Sequence, residues 1–274
     1  MGEDRAILTE DQREFFEANG YLVIVDALDE DMLGRLNEAT DRIYEEASAA
    51  DELEAGGKLN LRNCLVRDDA FLPLVDYART APLAWQLLNW NIQICTSHLI
   101  VLPPGEEPSD EEKRKAGYHR DGGTSPREME EPHPRILLKI AYALSDQTDP
   151  ACGATRLVPG SNRMTGRPPT DPETGHPRGS IAMNVKAGTA FIFEQRTWHS
   201  VGKNWSDGPR KTVFMGYSYR WVKPMDYIAM PDRLIDQCNP IQKQLLGAVS
   251  APISYYIPRD EDVPLRAHVE GAGE

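Results

Sequence analysis

The sequence predicts a mainly β domain with helices packed at both ends. Three observations predict it. Up to residue 90, apolar residues recur at helical spacing behind good N-caps. From Asn91 to residue 224 the chain turns to β-branched and aromatic runs parted by Gly/Pro-rich loops, with no helical segment between them. Strands in that arrangement build an antiparallel sheet pair or a barrel. After residue 225 come two short helical segments and a polar tail. At 274 residues, 40% of them apolar, the chain fits one domain over 1–274: a helical support at 1–90, a β core with lid loops at 91–224, and C-terminal helices with a tail at 225–274.

The elements follow in order. Thr9 is a good N-cap, Gln12 completes a capping box, and Asn19-Gly20 ends the first helix. "YLVIVDAL" is a short β-rich run. Asp29 caps a second helix whose Leu33, Leu36, Ile43 and Ala47 draw one apolar stripe, and "ADELEAGGK" reads as a loop. Residues 80–89 form a helix behind Thr80, with Pro82 tolerated in its first turn. "NIQICTSHLIVL", "RILLKIAYAL", "ATRLVP", "GTAFIFE" and "TVFMGYSYRWV" are the strands. The loops at 104–117, 122–134 and 163–180 are long and polar, the usual mark of a lid or of disorder. "PDRLIDQCNPIQKQLLG" gives two short helices, and "EGAGE" reads as a frayed tail.

The net charge of −13 and a pI of about 5.0 predict a chain that binds neither nucleic acid nor an anionic membrane. No apolar run approaches the roughly 20 residues that span a bilayer. The opening residues carry no apolar signal core, and Ala6 stands where myristoylation wants Ser or Thr. Cys64, Cys95, Cys152 and Cys238 never form Cys-x-x-Cys, which fits a reducing compartment; the expectation is a cytoplasmic protein, monomeric or homodimeric, acting on a small molecule.

"YHRDGG" places His119 two residues before Asp121. Six histidines and 43 carboxylates in 274 residues yield about one such hit by chance, and the chain has two, the other being His268 with Glu270. Context separates them. His268 and Glu270 lie in the tail and read as solvated surface. His119 and Asp121 enter a glycine-bearing turn from a β segment, where side chains at i and i+2 share a face and Arg120 points away. Two histidines and one carboxylate with open positions describe a non-haem Fe(II) oxygenase site. Among candidates for the second histidine, His133 and His176 sit in Pro-flanked loops and read as solvent-exposed, and His98 reads as a hydrogen-bonded strand histidine. His199, where a β run meets a turn, mirrors His119. Eleven residues on, Arg210 offers the planar, bidentate recognition a dicarboxylate co-substrate needs.

Several stretches resemble the phytanoyl-CoA dioxygenase family of Fe(II)/2-oxoglutarate oxygenases. They are "LTEDQREFFEANGYLVIVDALDEDMLGRL", "YHRDGG", "CGATRLVPGSNR", "WHSVGKNWSDGPRKTVFMGY", "RWVKP" and "NPIQKQLLG", and together they cover nearly the whole chain. The resemblance implies a double-stranded β-helix (jelly roll, cupin-like). It implies iron held by His119, Asp121 and His199, and 2-oxoglutarate held by Arg210. O2 would then be consumed and succinate and CO2 released. It also implies an oxygenase rather than a halogenase, because Asp121 fills the position a halide would take. Departures exist: Val201 stands where the family often has serine, with Ser200 adjacent, and Asn162 replaces a histidine. Ser97, then Thr96, match the polar residue offered to 2-oxoglutarate from the preceding strand. Lys139 is either an edge residue snorkelling to water or a second anion anchor.

The expected substrate is a small or medium-sized natural-product or amino-acid-like molecule, hydroxylated or otherwise oxidised. Lids poor in aromatics argue against a lipid tunnel. The global charge disfavours coenzyme A, although Lys113, Arg114 and Lys115 could offset it locally. The rival readings are an acyl-CoA hydroxylase and a cupin-like metal-binding protein without oxygenase activity.

Overall fold

The computed structural model describes residues 5–114, 117–122 and 128–270; Gly123, Lys115, the tail 271–274 and the side chains of Lys113 and Arg114 lie outside that description. Helix α1 (Glu10–Asn19) has the expected capping box, with Thr9 accepting from the Gln12 amide. It stops at Gly20, whose φ of 77° is left-handed. Strand β1 (Tyr21–Ile24) leads to α2 (Glu30–Ala49), which buries Leu36, Ile43 and Ala47. After β2 (Leu59–Arg62), 3₁₀ turns bury Phe71, Leu72 and Leu74. Helix α3 (Ala81–Leu88) follows; the Thr80 hydroxyl pairs with the Tyr142 hydroxyl at 2.6 Å rather than capping it.

The core strands are β3 (Ile92–Leu102), β4 (Leu137–Ala143), β5 (Thr155–Leu157), β6 (Ile181–Ala182), β7 (Ala190–Glu194), β8 (His199–Val201) and β9 (Arg210–Tyr219). A six-stranded antiparallel sheet runs β1-β7-β4-β9-β3-β2, and a three-stranded one runs β6-β5-β8. Together they form the expected jelly roll. Alternation along the strands sorts the residues. On β4, Leu138, Ile140 and Tyr142 join the large core under the helices, whereas Ala141 joins Leu157, Phe191 and Phe193 between the sheets.

Helix α4 (Asp110–Arg114) interrupts the loop after β3, and short helices α5 (Asp232–Ile235) and α6 (Pro240–Leu245) appear where expected. The tail expectation needs correcting at 265–270. Leu265–Glu270 is a helix, α6's successor α7, and buried Leu265 docks it with its amide on Gln244. His268 is exposed on it and bonds Arg5. Among the described residues no helix is long and apolar enough to cross a membrane.

Candidate metal and co-substrate site

His119 and His199 are backbone partners. Each donates its amide to the other's carbonyl at 2.9 Å, which extends the small sheet by one bridge. Their rings come to lie 4.3 Å apart. The Asp121 amide donates to the Gln195 carbonyl at 3.0 Å, which brings the carboxylate round to the same point. Ligand atoms of His119, Asp121 and His199 then lie within 4.8 Å of one another.

The turn that carries His199 is fixed from behind. Thr197 donates its hydroxyl to the Gly20 carbonyl at 2.8 Å, and the Glu194 amide donates to the same oxygen at 3.2 Å. Glu194, fully buried, accepts from Arg135 and Arg196, and from Asn162, the residue at the family's histidine position.

Protonation favours ligation. His199 Nδ1 faces the Thr197 carbonyl at 2.9 Å and His119 Nδ1 faces the Gly117 carbonyl at 3.2 Å. Carbonyls only accept, so Nδ1 carries the proton and Nε2 keeps its lone pair on both rings. Burial pushes His199 down to about 4, so the ring is neutral at pH 7. Burial alone would raise Asp121; the Lys139 ammonium and the two imidazoles overcome it and hold the carboxyl at about 2. Asp121 Oδ1 accepts from Lys139 at 2.8 Å, while Oδ2 is buried without a partner among the described residues. A buried carboxylate oxygen left unbonded beside two imidazole lone pairs is a donor set that fits a divalent metal.

The three side chains line a cavity of about 260 Å³ together with Lys139, Thr155, Phe193, Arg210 and Phe214. Arg210 is buried at the start of β9, donates to the Gly153 carbonyl, and is pulled down to about 10 by burial. Lys139 belongs to β4, between β7 and β9, so the edge-strand reading is overturned: a central strand aims it into the cavity. The buried Ser200 also lines the cavity, and its hydroxyl has no partner among the described residues.

Other expected residues fall elsewhere. Thr96 gives its hydroxyl to Asp226 at 2.8 Å, and Ser97 faces the segment 63–65, its amide also on Asp226; neither is brought to the cavity. His98 is buried on Asn60 as expected, and it does line the cavity. His133 is 4% exposed, not solvated, because its loop folds under Arg196, which bonds the His133 carbonyl. Arg120 turns away to Glu131 and lies over Trp198.

The cavity rim was missed in the sequence. Among the described residues it comes from Lys58, Asn60 and Arg62 at β2, not from the expected lid loops. Pro108, Glu112 and His176 of those loops line a neighbouring cavity that shares Ser200 and Val201 with this one. The signal was present: "LNLR" alternates strictly, and its polar half faces the site.

A family model described as Phytanoyl-CoA dioxygenase (PhyH) matches residues 16–212. The chain belongs to this family. It is therefore a 2-oxoglutarate-dependent non-haem iron oxygenase that uses Fe(II), 2-oxoglutarate and O2. The uncharacterized protein Rv1501 of Mycobacterium tuberculosis is 25% identical over 258 residues, 88% of this chain and 89% of that protein. Of solved structures, EctD from S. alaskensis in its apoform has a TM-score of 0.64 at 24% identity, covering 80% of each chain. The epimerase SnoN in complex with Fe3+, alpha ketoglutarate and nogalamycin RO has a TM-score of 0.57 at 20% identity, covering 76% of this chain and 82% of SnoN. These two likenesses speak to the fold of this family member.

Proposed function

We propose that His119, Asp121 and His199 hold the iron, that Arg210 and Lys139 hold the carboxylates of 2-oxoglutarate, and that the substrate is a small or medium-sized natural-product or amino-acid-like molecule with an acidic group. The observation that carries this reading is the meeting of the three ligand side chains with Arg210 and Lys139 in one cavity. Iron and 2-oxoglutarate bound there supply the oxidising power, with succinate and CO2 released and the substrate hydroxylated or otherwise oxidised. The chain's own part is orientation and exclusion of water. The backbone bridge sets the angle between the imidazoles, and Phe193, Phe214 and Ile100 wall the cavity.

Charge and size support the substrate class. The cavity wall carries Lys58, Arg62, Lys139 and Arg210 against one carboxylate, Asp121. A dianionic co-substrate leaves the rim cations Lys58 and Arg62 facing the mouth, which favours an acidic substrate. About 260 Å³ has no room to enclose a long acyl chain beside 2-oxoglutarate. SnoN, by its description, is an epimerase in complex with nogalamycin RO on this fold. Four free, buried cysteines agree with a cytoplasmic setting.

The test is succinate formation by the purified chain with Fe(II), 2-oxoglutarate and O2, across free small acids and a set of acyl-CoA thioesters. Substrate-stimulated turnover is expected with the small acids. Turnover with acyl-CoA alone overturns the substrate class and leaves the iron chemistry standing. His119→Ala and His199→Ala should each abolish turnover with the circular dichroism spectrum unchanged. A histidine variant retaining iron-dependent turnover removes that residue from the ligand set.

A further inference from the structure

A second cavity, of about 620 Å³, lies beyond the far end of β9 and shares no lining residue with the iron cavity. Arg220 forms part of its wall and is 2% exposed. Among the described residues, none of its three guanidinium nitrogens has a hydrogen-bond partner. Burial lowers its pKa, and Asp262, the carboxylate that offsets this, is committed to the Ser250 amide at 2.6 Å and hydroxyl at 2.9 Å. Leaving a buried charge uncompensated costs several kcal/mol. The backbone around Arg220 is fully engaged: its amide donates to the Asn91 carbonyl, and its carbonyl accepts from Gln93. The chain thus holds the arginine rigidly and leaves only the guanidinium unanswered.

The rest of the wall is apolar and open. Trp221 and Tyr255 are each 48% exposed, and Ile228 is 91% exposed. Trp221 stacks on Tyr219 at 5.5 Å with nearly parallel planes, which presents a flat aromatic surface. Lys223 adds a cation and Asp232 an anion to the lining, so Arg220 leaves the balance positive.

We propose that this cavity is a binding site, separate from the iron site, for a small amphiphilic carboxylate. Its carboxylate pairs bidentately with Arg220, and its aliphatic or aromatic body lies across Trp221, Ile228 and Tyr255. The guanidinium nitrogens are shut from solvent until the anion enters.

Octanoate, octanol, octyl phosphate and inorganic phosphate serve as probes, titrated calorimetrically into the full chain. Saturating Mn(II) and 2-oxoglutarate fill the iron cavity, so carboxylate binding at Arg210 or Lys139 does not contribute. Octanoate is expected to bind, with octanol about 10- to 100-fold weaker, the worth of a hydrogen bond to a charged group. Arg220→Met should remove that preference and leave 2-oxoglutarate-dependent turnover unchanged. Replacing an unpaired buried charge with an apolar side chain of similar length should not unfold the chain. Should it do so, Ile228→Asp, on an exposed position, still tests the site and should abolish octanoate binding. Equal binding of octanol and octanoate, or octanoate binding indifferent to Arg220→Met or Ile228→Asp, overturns the proposal. Inorganic phosphate or octyl phosphate binding more tightly than octanoate overturns the carboxylate assignment. Loss of turnover in His119→Ala with octanoate binding intact separates this site from the reading of the iron site.

Discussion

His98 and Arg210 face one cavity, and burial lowers the pKa of both, with opposite outcomes for their charge at neutral pH. Arg210 stays cationic even at about 10, so it offers the proposed co-substrate carboxylate a full charge at neutral pH. Removing one partner of a buried charge pair costs about 3–5 kcal/mol, so Arg210→Ala should raise the KM for 2-oxoglutarate by about 10²–10³. Lys139→Met removes one charge-assisted bond, and about 10- to 100-fold is expected in the same KM. A steady-state titration of 2-oxoglutarate checks both, and an unchanged KM in either variant moves the anchor elsewhere. His98 is held neutral, down to about 3, by burial first and then by Arg62 and Lys139. Its folded value lies below the ordinary 6.5, so between the two the unfolded chain binds the extra proton. Stability is complete above about pH 6.5 and falls as pH drops toward 3, by about 1.4 kcal/mol per unit. His98→Gln in the metal-free chain should therefore lose about 2 kcal/mol less than the parent between pH 7 and pH 5, read from urea midpoints.

Elements were legible wherever a local rule spoke alone. The Thr9 capping box, the Gly20 stop and the β run at β4 all sit in the structure as the residues implied. The cluster of His119, Asp121 and His199 was legible because His119-x-Asp121 and His199 each occupy a β-to-turn junction; the pairing of those junctions is a long-range event that no local pattern encodes. The same limit hid β2, four residues long, and α7, six residues long, both too short for periodicity to outweigh their Gly/Pro surroundings. It also misplaced Thr96 and Ser97, whose facing depends on the register shift between Ile94 and Thr96. Two glycines test how firmly α1 supports the site. A Cβ on Gly20, at φ 77°, would lie 2.3 Å from the Thr197 hydroxyl and 2.8 Å from Asn162. Gly20→Ala should cost about 2–4 kcal/mol through strain and overpacking, and should weaken metal binding through the turn that carries His199. Gly34, inside α2, meets nothing within 4 Å, so Gly34→Ala should stabilise by about 0.5–1 kcal/mol. Denaturation midpoints measured side by side check both, and equal shifts would deny α1 its supporting role.

The whole molecule segregates its charge. The chain carries −13 overall, yet the cavity wall sets four basic residues, with Lys58 and Arg62 at the rim, against Asp121 alone. Acidic residues gather on the outside, as in the first turns of α1 and α2, where Glu10, Asp11, Glu30 and Asp31 complement the helix dipoles. An exterior of one sign around a cavity of the other makes the site costly until it is filled. Among the described residues Lys139 pairs with Asp121, and Asp121 Oδ2 and the Ser200 hydroxyl have no partner. Metal and 2-oxoglutarate bind the folded chain and not the unfolded one, so they should stabilise by RT ln(1 + [L]/Kd), about 2.7 kcal/mol at a hundredfold excess over Kd. For a chain of this size each kcal/mol moves Tm by roughly 2–4 °C, so Tm should rise by about 5–10 °C. Mn(II) in place of Fe(II) keeps the measurement free of turnover. The rise should need both ligands, should collapse on adding a chelator, and should shrink in Arg210→Ala but not in Gly34→Ala. A Tm indifferent to metal and 2-oxoglutarate together would mean the cations of the cavity are answered by something other than the co-substrate.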